Sequence, residues 1–212
     1  EDEVIWNYME NKDYSHEIAG IGYDLLSGIN QKQSAADGGD NLLTIGAGKI
    51  EKSNALNPYK INQGDFLVWS SNNTKIENEA PVDSISNVLY PINHLSAKRW
   101  VMQVSGTTAK NISTEMILKV ESAQPLKKCY LVIDRTGAGD FSTLNSDIIE
   151  ATIDNEGKIA TFSNIQWDTD NSGKDMFTFI YGDKLTLLAT AEKYDSLENG
   201  KIKLTTLAGS PP

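Results

Sequence analysis

Cysteine is almost missing from this chain of 212 residues. One thiol, Cys129, leaves no internal disulfide to form, so the fold rests on burial and hydrogen bonding. Cys129 opens the apolar run Cys129–Ile133, where a buried thiol is expected. Histidine is nearly as scarce. His16 and His94 lie far apart and have no cysteine or carboxylate at ligand spacing, so no zinc motif is present. Basic residues are outnumbered, 19 against 29 acidic, for a net charge of −10. That balance disfavours nucleic acid and anionic membranes as partners, while it suits solubility and offers carboxylates to cations. No apolar run reaches the ~20 residues of a membrane helix, and no basic-then-apolar leader opens the sequence. Membrane insertion is therefore not expected, and an exported protein would be met here in mature or trimmed form. A Gly-x-Ser-x-Gly elbow is missing too, and Gly20-Ile21-Gly22 and Gly46-Ala47-Gly48 lack the third glycine of a dinucleotide fingerprint.

What is present is alternation. Trp100, Met102 and Val104 fall on one side of a strand-length segment; so do Met116, Leu118 and Val120. Ile149, Ala151 and Ile153 repeat the pattern, as do Phe177, Phe179 and Tyr181, and Ile202 with Leu204. Leu42–Ile45 and Phe66–Trp69 are short apolar runs. Turn signals stand between them: Asp154-Asn155-Glu156-Gly157, Asn199-Gly200, Ser70–Asn73, Gly38-Gly39-Asp40 and Asn171-Ser172-Gly173. The best helix candidate, Leu188–Tyr194, is short. Many short strands and few helices predict an all-β protein, an antiparallel β-sandwich burying two apolar faces against each other. The whole chain, 1–212, reads as one such domain, with a weak subdivision near 73–96 that would make two packed β sub-domains.

Chemistry-bearing patterns are few. Gly137-Ala138-Gly139-Asp140 matches the phosphate loop of ribokinase-like sugar kinases. Such a loop needs a strand before it and a helix after it, and here another β-like run follows. Asp134 and Asp140 flank that glycine turn, while Asp168, Asp170 and Asp175 punctuate a second acidic loop. Both loops admit two readings: turn caps, or oxygen ligands for a structural calcium ion. The second lacks the glutamate of an EF-hand, since Phe179 holds the twelfth position. Among the tryptophans, Trp69 and Trp100 sit in strand patterns and read as core. Trp167 and Trp6 lie in polar surroundings and are the candidates for an exposed sugar-stacking platform.

One ordered set of segments resembles a known family. It comprises His16–Asp24, Gly28–Ser34, Leu43–Gly46, Phe66–Trp69, Arg99–Val104, Asp140-Phe141-Ser142 and Phe177-Thr178-Phe179. Together they resemble a β-rich domain of large bacterial cell-surface, adhesin-like proteins, mainly of Bacteroidetes, often found next to laminin-G or concanavalin-like domains. This chain carries Tyr23 and Ser70 where that family usually has Arg and Gly. The resemblance implies β structure, extracellular placement and no catalytic residues. Gly20, Gly22 and Gly28 then serve close packing or positive φ, and Asn30, Gln31 and Gln33 bond a loop to a sheet. The expected function is a non-enzymatic surface module: an adhesin domain, a spacer or a subunit of a surface assembly. Such an assembly could grow by strand addition through residues up to Asn11 or through Lys201–Leu207. Partners would be neighbouring domains, copies of itself, or an extracellular glycan or protein. The alternative is a carbohydrate-binding module of a secreted hydrolase.

Overall fold

The computed structural model describes residues 4–36, 42–77, 94–120, 125–139, 141, 146–182, 189–190 and 205–206. The alternating segments become strands: β1 His16–Asp24, β2 Ile29–Gln31, β3 Gln33–Ala35, β4 Leu43–Ala47, β5 Phe66–Ser71, β6 His94–Leu95, β7 Trp100–Ser105 and β8 Thr114–Lys119. After these come β9 Lys128–Asp134, β10 Ser146–Glu150, β11 Thr152–Ile153, β12 Ile159–Ile165, β13 Lys174–Gly182, β14 Ala189–Thr190 and β15 Thr205–Thr206. The first sheet runs β10-β9-β13-β7-β5-β1-β2, with β6 also on β13; the second runs β11-β12-β8-β4-β3; β14 pairs β15. Every pairing is antiparallel. The two larger sheets form the expected sandwich, and helical structure among the described residues is confined to 3-10 turns such as Asn54–Leu56 and Ala109–Asn111.

Period-two patterning fills the space between the sheets. Met116 and Leu118 from β8 and Phe177 and Phe179 from β13 are fully buried in one cluster with Trp69 and Trp100. Trp100 stacks on Phe177 with centroids 5.5 Å apart. Phe162 of the second sheet reaches Phe179 of the first at 5.6 Å. Such ring pairs add about 0.5–1.5 kcal/mol each beyond their area burial.

Both margins of the sandwich are joined by a strand that changes sheet. β2 ends the first sheet and β3 ends the second, with only Lys32 between them. On the far side β10 and β11 do the same around Ala151. The joints keep their hydrogen bonds: Ala47 N–H donates to Lys32 O at 2.7 Å and Ala151 N–H to Cys129 O at 2.9 Å. The Ile149, Ala151, Ile153 alternation therefore runs on through the switch, all three packing against the core. Margins closed in this way leave less unpaired backbone than two free-standing sheets.

Side-chain amides complete the β2–β3 margin. Asn54 Nδ2 donates to Asn30 O at 2.8 Å while its Oδ1 accepts the Lys32 N–H at 2.6 Å. Gln33 does the same to Glu51, accepting its N–H and donating to its carbonyl, both at 2.8 Å. Each primary amide thus imitates one rung of a ladder. In the same block, a Cβ on Gly22 would overlap the Phe66 ring, and Gly28 turns the β1–β2 hairpin at φ +72.

Two expectations of secondary structure change. Ser70 and Ser71 belong to β5 and are fully buried, not part of a loop; the Ser70 hydroxyl lies 2.7 Å from Tyr14 O and 2.8 Å from His16 O. Two residues of the helix candidate 188–194 form β14 instead. The Gly137-Ala138-Gly139 loop joins two antiparallel strands, β9 and β10, so it has no kinase context. Asn199-Gly200, Ile202 with Leu204, Gly38–Asp40 and most of 73–96 lie outside the described residues.

Candidate functional site

The two acidic loops meet at one end of the first sheet. Asp134, the last residue of β9, stands opposite Met176 of β13, so the turn leaving β9 abuts the loop entering β13. Asp134 is fully buried. Its Oδ1 accepts the Thr136 N–H at 2.9 Å and the Thr136 hydroxyl at 2.7 Å, and its Oδ2 accepts the Gly139 N–H at 2.7 Å. Gly137 and Gly139 supply φ +65 and +80, which let this turn close around the carboxylate. Asp168 works likewise, its Oδ1 accepting the Gly173 N–H at 2.6 Å. Asp170 is exposed and accepts the Ser172 N–H at 3.1 Å.

Arg135 joins the loops. Its Nη1 donates to Asp175 Oδ2 at 2.8 Å and to Gln166 O at 2.7 Å; its Nε and Nη2 both donate to Asp147 Oδ2, at 2.8 and 2.7 Å. Asp175 is wholly buried, and its Oδ2 also accepts the Asp168 N–H at 2.7 Å. Its Oδ1 has no hydrogen-bond partner among the described residues. Burial pushes the Asp175 carboxyl up to about 6, against the opposing pull of the Asp168 N–H and the Arg135 charge. The place of Arg135 beside Asp134 is the one signal of this role in the sequence.

These carboxylates act as hydrogen-bond acceptors for their own loops, the turn-cap half of the two readings. Asp134 and Asp168 are engaged by N–H groups, and Asp175 by an N–H and a guanidinium. Among the described residues no three His, Cys, Asp or Glu gather to hold a metal ion. Asp140 lies outside the described residues.

Neither candidate tryptophan forms a free platform. Trp167 is fully buried, its Nε1–H donating to the Thr114 hydroxyl at 2.9 Å and its ring 5.2 Å from Phe177. The loop that follows is polar, but the indole itself turns into the core. Trp6 is half-buried and packs on the outer face of the first sheet, against a patch holding Val101, Tyr130, Val132 and Met176. Trp69 and Trp100 are core residues, as expected. Cys129 is buried, and burial pushes its thiol up to about 12, which leaves it inert.

The N-terminal segment crosses that outer face as a strap. Asn7 N–H and Asn11 Nδ2 donate to Gln103 Oε1 at 2.8 and 2.9 Å, and Gln103 Nε2 donates to Val4 O at 3.3 Å. Between strap and acidic loops lies an open cleft of about 580 Å³, lined in part by Asn7, Glu10, Gln103, Thr136, Ser172 and Lys174.

A family model described as a domain of unknown function (DUF8202) matches residues 1–172. No curated protein and no solved structure matches the chain.

Proposed function

This chain belongs to the DUF8202 family, and we propose that it is a non-enzymatic module of a bacterial cell surface, serving as adhesin domain, spacer or assembly subunit. The observation that carries the reading is where the buried carboxylates go. Asp65, Asp134, Asp168 and Asp175 are the buried acids among the described residues. Asp65 accepts from the Thr108 backbone and hydroxyl. Asp134 and Asp168 accept from the backbone of their own loops, and Asp175 from Arg135 and Asp168. A general acid or base needs a face toward substrate; these carboxylates hold loops to strands.

The closed margins support the adhesin-domain and spacer forms of this role, because they suit a module that must stay folded without edge-to-edge self-pairing. The ordered segments from His16 to Phe179 support placement in large surface proteins, mainly of Bacteroidetes, beside laminin-G-like or concanavalin-like neighbours. Such neighbours, copies of this chain, or extracellular glycans and proteins are the partners this reading supplies. No helix among the described residues is long and apolar enough to cross a membrane. Trp167, one of the two tryptophans offered for sugar stacking, is buried in the core, which gives the carbohydrate-module alternative less support.

Labelling intact source cells with a membrane-impermeant biotin reagent tests the placement. Recovery of the chain in the labelled fraction supports it; recovery only after lysis contradicts it.

A further inference from the structure

We infer that the cleft between the N-terminal strap and the two acidic loops is a binding site for a hydroxyl-rich ligand, an oligosaccharide. The walls come from four separate parts of the chain: the strap, the end of β7, the turn after β9 and the loop before β13. Three of these walls are each held by a different side chain. Gln103 holds the strap, Asp134 the β9 turn, and Asp168 the β13 loop. Arg135 and Asp175 tie the last two together from below. Walls held this way are ordered before a ligand arrives, so less ordering entropy opposes binding.

The groups left for a ligand define its class. The side chains of Glu10 and Lys174 have no partner among the described residues, and Asn7 Nδ2 donates to nothing there while its Oδ1 takes only the Glu10 N–H at 3.3 Å. One acceptor, one donor and one amide suit hydroxyls, which both give and accept hydrogen bonds. A phosphate would meet Glu10, and a cation would meet Lys174. A peptide would need apolar pockets, and Val4 and Val104 are the sole large apolar residues of the lining. Lys174 is seated as well: a Cβ on Gly137 would come 2.9 Å from Lys174 Cε and 2.8 Å from Lys174 O. The glycine therefore leaves room for the lysine stem.

The test is a titration of the 15N-labelled chain with soluble gluco-, manno-, galacto- and N-acetylglucosamine oligosaccharides, with inorganic phosphate as a separate arm. Saturable amide shifts at Gln103, Ser105, Gly173 and Lys174 with at least one oligosaccharide are the expected result. Lys174→Met and Glu10→Gln should each weaken that binding about tenfold, the loss of one charged hydrogen bond, without altering the remaining spectrum. Absence of shifts with every oligosaccharide, shifts confined to other residues, or a response to phosphate alone would overturn the inference. This readout is independent of where the protein resides, so it can fail while surface placement stands, and the reverse.

Discussion

Arg135 Nη1 lies 2.8 Å from Asp175 Oδ2, and the aspartate of this pair has no solvent exposure. The arginine stands among carboxylates that a sequence reader would offer to a metal. Removing it should leave Asp175 buried and uncompensated, which typically costs about 3–5 kcal/mol. Arg135→Met should therefore unfold at clearly lower urea concentration than wild type. Arg135→Met with Asp175→Asn should recover much of that loss, because the stranded charge is gone. A single variant as stable as wild type in urea melts would show that the pair does not hold the loops.

The pH dependence follows from the same aspartate. Its folded carboxyl titrates near 6 against an ordinary 3.8, so the folded state binds this proton more tightly than the unfolded state. Ionisation of Asp175 thus opposes folding at neutral pH, and its contribution to stability rises as pH falls from above 6 toward 4. Asp24 acts in the opposite sense. The Ser27 hydroxyl and N–H and the Gln63 amide hold its carboxyl down to about 2, so its stabilisation is full above the ordinary value and is lost as pH falls through 2. Urea midpoints measured across pH 4–7 should show a component rising toward acid that vanishes in Asp175→Asn.

Asn54→Ala removes both the donor to Asn30 O and the acceptor of the Lys32 N–H. A loss of about 1–3 kcal/mol is expected, together with self-association through the uncovered β2–β3 margin. Asn54→Asp keeps the acceptor alone and should fall between. Light scattering alongside thermal melts checks both effects; a monomeric Asn54→Ala variant with unchanged stability would contradict the capping role.

Trp167→Ala should cost about 3–5 kcal/mol, the range for deleting a large core ring. Trp167→Phe should cost less, chiefly the hydrogen bond to the buried Thr114 hydroxyl. Trp6→Ala should be milder than either, since Trp6 is half-buried on the outer face. Equal small effects at Trp6 and Trp167 in thermal melts would place Trp167 outside the core.

Much of the sandwich could be read from alternation, because each strand buries one set of side chains: Met116 with Leu118, Phe177 with Phe179. The change of sheet at Lys32 and Ala151 was not legible. The Ile149, Ala151, Ile153 pattern is the same whether a strand stays in one sheet or leaves it, and only partners distant in sequence decide. The reading of Asn30, Gln31 and Gln33 as a loop-to-sheet set was sound for Gln33, yet the decisive amide, Asn54, carried no local signal. Ser70 and Ser71 looked like turn residues because serine so often bonds nearby backbone; Ser70 does so here across 54 and 56 residues from within a strand. Trp167 was misplaced because polar neighbours in sequence say nothing of which way a ring turns. The acidic loops were visible as a pair, but their meeting depends on β9 lying beside β13.

Amide hydrogen exchange gives the most direct test of the claim that the acidic loops serve architecture. The N–H groups of Gly139, Asp168 and Gly173 each donate to a carboxylate of Asp134, Asp175 or Asp168. All three should exchange slowly in the wild-type chain, with no calcium added, and those of Asp168 and Gly173 should quicken in Arg135→Met while the Trp100 amide stays slow. Fast exchange at these positions in wild type, slowed only when calcium is supplied, would contradict the account.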